Sequence, residues 1–172
     1  MKNKITKMPI WLLMVWPYIF LGGLFLGGGT FFGIFCILTL ILCIANIINA
    51  WKYKGDNVAK ELGFWGMVTK LIHMPFYVVA FVMGLLGMLS VAVNPANGST
   101  FTLLFMFIMS ILLMIQSSSY CTKAIFAAAE LKLIKKESAM LYATTCFIMF
   151  ADVICAILIY NKIKKNKKVI GA

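Results

Sequence analysis

Residues 8–51 contain no charged side chain, and that run decides what the chain can fold into. One helix of that length would extend roughly 60 Å at 1.5 Å per residue, about twice the hydrocarbon thickness of a bilayer. The run must therefore fold back. Gly27-Gly28-Gly29-Thr30 is the natural turn, since glycine is conformationally permissive and weakens a helix. This predicts a first span over 9–26 and a second over 30–50. The first also has the look of a signal peptide, but no small-residue cleavage site follows it, so an uncleaved anchor is expected.

The rest of the chain has the same character. Hydrophobic residues make up 63% and charged residues 12% of the 172 positions, far from the roughly 25% charged of a soluble domain. A soluble enzyme, a nucleic-acid module and a disordered linker are excluded together. All 16 basic residues are lysine, against five acids. Phosphate and base recognition lean on the bidentate guanidinium of arginine, which is absent here. The lysines sit in short segments between apolar runs, as expected of residues that orient a protein in a bilayer. Lysine, isoleucine and asparagine richness also fits an AT-rich bacterial genome.

Further along, Trp51-Lys52-Tyr53-Lys54 reads as an interfacial exit. Asn57 is an expected N-cap for an interfacial helix over 57–73. Pro75 disfavours helix at the residue before it, so a third span is placed at 75–93. Asn94-Pro95-Ala96-Asn97-Gly98-Ser99 is an uncharged turn, and its Asn97-Gly98-Ser99 sequon reads as part of that turn. A fourth span follows at 101–119, a second interfacial segment at 121–137, and a fifth span at 139–160. The tail carries five more lysines. The expected fold is an all-α integral membrane protein: about five transmembrane helices in a compact bundle with short interfacial helices, forming one domain in the cell membrane.

Five spans create a conflict. The positive-inside rule places the N-terminus and the 51–62 and 121–138 segments in the cytoplasm, and an odd number of spans then exports the lysine-rich tail. Treating residues 9–29 as re-entrant, or inverting the chain, exports other lysines instead. Five spans with the N-terminus cytoplasmic is the expectation retained.

Membrane helices associate through small residues and interhelical hydrogen bonds. Such stripes occur as Cys36, Thr39, Cys43, Asn46 and Ala50; as Ala80, Gly84 and Gly87; as Thr102, Ser110 and Ser117; and as Thr145, Asp152 and Ala156. Asp152 is the sharpest signal, because a carboxylate inside a span costs roughly 2.5–3.5 kcal/mol on insertion scales. It reads either as a proton- or cation-responsive site or as a packing residue bonded to Thr145 or to a serine of the fourth span. Lys70 and His73, three apart, share a helix face. With Asn46 and Asn49 they would form a polar inner vestibule, provided the second span packs on the third.

No cofactor or metal is expected. The five cysteines show no metal-ligand spacing, the sole histidine is His73, and the methionines lack the paired ligands a copper site needs. No Gly-x-Ser-x-Gly, His-Glu-x-x-His or phosphate-cradling loop occurs, so no enzymatic activity is expected. Two functions remain. The first is an accessory or structural subunit acting through helix–helix contacts with a membrane partner or with further copies of itself. The second is an autonomous small transporter or channel centred on Asp152. The expected partners are the lipid bilayer and another membrane protein, with no nucleic acid.

Overall fold

A computed structural model describes residues 7–26, 29–54, 57–93, 99–148 and 151–170. All the regular structure among them is helical: α1 (Lys7–Leu26), α2 (Gly29–Lys52), α3 (Val58–Val93), α4 (Ser99–Glu130), α5 (Lys136–Thr145) and α6 (Ala151–Ile170). Three helical stretches are long and apolar enough to cross a membrane, Gly33–Lys52, Val58–Val93 and Leu103–Glu130. This is the composition of a membrane-embedded helical protein.

The contacts give the direction of each helix. Trp16 stacks on Phe35 at 4.5 Å and Phe20 lies 5.2 Å from it, so α1 and α2 are antiparallel neighbours. Trp11 meets Trp65 and Phe20 meets Phe76, so α1 and α3 run parallel. Asn46 reaches Gln116 and Asn49 reaches Tyr120, so α2 and α4 run parallel. Residues 66 and 121, then 87 and 103, bring α3 and α4 together in antiparallel order. An up-down-up-down bundle results. It is closed by a core of Ile10, Leu13, Phe20, Phe35, Phe76, Met109 and Tyr120. α3 and α4 make the most extensive pairing, and Gly66 permits its closest approach: a Cβ there would lie 2.6 Å from Cys121 Sγ.

α5 and α6 form a hairpin against the first half of α3 and the second half of α4. Phe64 packs on Tyr160, and Gly63 lies against Ile163, so α6 descends antiparallel to α3. The hairpin therefore enters and leaves at the end of the bundle where α2 and α4 finish and α3 begins. Lys7, Lys52, Lys54, Lys60, Lys123, Lys132, Lys135, Lys136, Lys162, Lys164 and Lys165 all belong to that end. Among the described residues, Lys70 and Asp152 are the only charged groups away from it.

Three expected segments differ from these helices. The interfacial helix at 57–73 and the span at 75–93 are one helix, Val58–Val93, that runs through Pro75. Proline removes one helical hydrogen bond and crowds the preceding turn, and the Tyr18 hydroxyl donates to the carbonyl of Ile72 in that turn. Residues 121–130 continue α4 rather than starting a separate interfacial helix. The segment 139–160 is not one helix: α5 ends at Thr145 and α6 starts at Ala151. Thr144 and Thr145 bond back to the carbonyls of Met140 and Leu141, a local competition that disfavours helix continuation. The turn expected around residues 27–30 lies partly outside the described residues, and the 94–98 loop lies wholly outside them.

Candidate functional site

A buried charge pair forms where the hairpin tip meets the bundle. Lys70 follows Val58 by about 18 Å along the helix axis and is fully buried. Its ammonium lies 2.7 Å from Asp152 Oδ2, 3.0 Å from Ser118 Oγ and 3.3 Å from the Cys146 carbonyl. An ammonium has three donors, and these three acceptors match them. Ser118 itself donates to the Cys146 carbonyl at 2.5 Å. Asp152 is 1% exposed, and its second oxygen, Oδ1, has no hydrogen-bond partner among the described residues.

The hairpin tip is suited to hold such a pair. Cys146 caps the C-terminal end of α5, where carbonyls lack helical partners and the helix dipole is negative. The Lys70 ammonium sits against that end. Asp152 lies in the first turn of α6, where the dipole is positive. Each charge thus faces the helix end that favours it. The surroundings are polar and sulfur-rich: Tyr77 and Cys155 lie within electrostatic reach of Asp152, and His73 and Cys121 within reach of Lys70. Cys146 Sγ and Cys155 Sγ are 3.9 Å apart, and all five cysteines are free.

The other expected site residues divide into separate groups. Thr145 bonds to the Leu141 carbonyl rather than to Asp152; Ser118 of α4, on the helix expected to supply a serine, joins the charge pair through Lys70. Asn46 and Asn49 do not meet Lys70 and His73, because α2 packs on α4 rather than on α3. Instead, Tyr120 donates to Asn46 Oδ1 at 2.7 Å, Asn49 donates to Tyr120 at 3.1 Å, and Asn46 Nδ2 reaches Gln116 Oε1 at 3.5 Å. His73 points to α1, with Nε2 2.9 Å from the Leu13 carbonyl. A carbonyl only accepts, so the Nε2 position carries the proton. Leu13 stands four residues before Pro17, which has no N–H to offer it.

Sequence reasoning missed Ser118, the Cys146 carbonyl and the pairing of Lys70 with Asp152. The signal available was that each of the two helices held one intramembrane charge of opposite sign. Such charges inside apolar helices pair with each other or with backbone carbonyls. Among the described residues no cluster of three or more histidine, cysteine or acidic side chains is arranged to hold a metal.

Among the described residues these features define an all-helical membrane-type bundle with a buried ion pair at the tip of the α5–α6 hairpin. The chain belongs to a family of unknown function, DUF6652, matched over residues 11–165. No curated protein and no solved structure matches it.

Proposed function

We propose that this is a small multi-pass membrane protein in which α1 to α4 span the bilayer, α5–α6 is re-entrant, and Lys70–Asp152 is a proton-responsive site of a transporter or channel. Four spans and a re-entrant hairpin put the start of α1, the end of α6 and every described lysine except Lys70 on one side, which the positive-inside rule makes cytoplasmic. This arrangement removes the conflict that five spans create.

The observation that carries the reading is the placement, at the junction of α5 and α6, of the only two inward charges among the described residues. Discontinuous helices near the midplane are a recurrent way to build ion sites in transporters, and ionisable residues inside a membrane are often part of ion or proton pathways. A proton suits this site better than a metal cation. The ammonium already occupies one oxygen of Asp152, whereas its free Oδ1 can take a proton with no coordination shell. Protonation removes the carboxylate charge and leaves Lys70 held by Ser118 and the Cys146 carbonyl alone. The hairpin tip is then the element whose position changes.

The test is proton flux in proteoliposomes that contain a pH-sensitive dye. The wild type is expected to equilibrate an imposed pH step, and Asp152→Asn to lose that response. The double variant Lys70→Met/Asp152→Leu, which keeps the packing, should fold and be inactive. Proton flux unchanged in a folded double variant would overturn the proposal.

A second reading, an accessory subunit, is favoured by one feature. The outer parts of α3 and α4 flank an apolar groove of about 450 Å3 lined by Ala80, Gly84, Leu85, Leu103, Met106 and Ser110. Small residues at such a surface suit a partner helix. Purification in mild detergent distinguishes the two: a stoichiometric membrane partner, with no proton flux from the isolated chain, supports the accessory role.

A further inference from the structure

The turn between α4 and α5 creates a second site, remote from Asp152 and independent of the proposal made for it. Residues 131–135 close a cavity of about 640 Å3 with the end of α4, the first turn of α5 and the second half of α6. Four lysines line it, Lys132, Lys135, Lys136 and Lys162, and none of its lining residues is acidic. Glu130 and Glu137 flank the turn in sequence but do not line the cavity. Ser138 and Asn166 add polar groups, and Ala129, Leu133 and Ile134 form an apolar wall.

Two features hold this basic cluster together. Asn166 Nδ2 donates to the Leu133 carbonyl at 2.6 Å, which ties the turn to α6. Lys132 adopts a φ of 55°, a left-handed conformation uncommon for a residue with a side chain, and it persists where the surroundings impose it. In addition, the first helical bond of α5 is Ala139 N–H to the Lys135 carbonyl, and no side chain caps this end. The amides of residues 136–138 therefore precede any helical partner, and a helix N-terminus favours an anion.

We infer that this cavity binds the phosphate of an anionic phospholipid headgroup. The positive lining calls for an anion, and the apolar wall beside it calls for an amphiphile, which a free phosphate ion is not. The location agrees. The cavity lies where the apolar parts of α4 and α6 give way to lysine, at the depth of headgroups in the topology proposed above. A bound headgroup would cap α5 and offset part of the charge of the four lysines that line the cavity.

The test measures phosphatidylglycerol retained by the purified full-length protein after detergent exchange, by mass spectrometry, against phosphatidylcholine as the neutral probe. Wild type is expected to retain phosphatidylglycerol selectively. Lys135→Gln/Lys162→Gln should lower that retention on the order of tenfold, the loss expected when charge-assisted contacts to a bound phosphate are removed. The control Lys164→Gln/Lys165→Gln removes the same charge from residues that do not line the cavity, and should cost several-fold less retention than the cavity variant. Equal losses in the two variants would show diffuse charge attraction and overturn the site. Displacement of the lipid by millimolar inorganic phosphate would overturn the choice of a lipid over a free ion. Both variants are checked for monodispersity and helix content, so that a loss of retention is not a loss of fold.

Discussion

His73 on α3 donates to the carbonyl of Leu13 on α1 at 2.9 Å, across a separation of 60 residues. That carbonyl is the one Pro17 cannot serve. The reverse contact also exists, since Tyr18 of α1 donates to Ile72 just before Pro75 of α3. In an α-helix position 75 would serve the carbonyl of Leu71, not Ile72, so this second contact ties the two proline-bearing helices together without replacing a lost helical bond. Pro17 is tolerated because a neighbour supplies the missing donor, as expected where no water reaches the main chain.

His73→Phe is therefore expected to cost about 1–3 kcal/mol, the penalty for an unsatisfied buried acceptor. In a Pro17→Ala background, residue 17 regains an N–H for Leu13, and the cost should fall by half or more. Unfolding of all four proteins in mild detergent gives the coupling directly. Equal costs in the two backgrounds would separate His73 from the proline.

The Lys70–Asp152 pair should behave asymmetrically. Removing one member leaves an uncompensated buried charge, so Lys70→Met is expected to destabilise by about 3–5 kcal/mol. Adding Asp152→Leu should recover most of that loss, because well-packed apolar replacements of a buried pair are often neutral. A double variant no more stable than Lys70→Met would contradict this account.

Glycine substitutions along α3 sort by neighbour distance. A Cβ at Gly66 meets Cys121 Sγ at 2.6 Å and the Cys121 backbone nitrogen at 3.1 Å, so Gly66→Ala forces α3 and α4 apart. Overpacking of this kind costs about 1–3 kcal/mol. At Gly63 the nearest atoms are 3.7 Å away, and at Gly84 none lies within 4 Å. Gly63→Ala and Gly84→Ala should leave the melting temperature unchanged or raise it, since alanine is the better helix former.

Reporter fusions test the topology. Fusions after residue 54, after residue 132 and at the C-terminus are expected to report the same side, and a fusion in the 94–98 loop the opposite one. A C-terminal reporter on the far side would restore five spans.

Much of the first two-thirds of this fold could be read from the residues. The stripe Thr39, Cys43, Asn46 and Ala50 is buried, while Ile37, Leu40, Ile41, Ile44 and Ile48 face outward, because one helix face packs and the other meets lipid. Asp152 was legible as an inward residue, since nothing else about an apolar segment explains a carboxylate. Its partner was not, because Lys70 is 82 residues away in sequence and only the antiparallel packing of α6 on α3 joins them. The break between α5 and α6 was hidden as well. Residues 139–160 contain neither proline nor glycine, and the competition comes from two threonine hydroxyls whose effect depends on context.

The shape of the hairpin also sets an order of assembly. Because α5 and α6 enter and leave by the same end, no part of residues 131–170 has to thread past another helix. The four-helix bundle can close first, and the C-terminal segment can then slide in as a plug, its lysine-rich half left outside as a handle. Until it docks, Lys70 has no counter-charge inside the bundle. A segment made later is thus the one that neutralises a charge laid down much earlier, so a chain truncated before residue 152 would be left with an unpaired lysine in its interior.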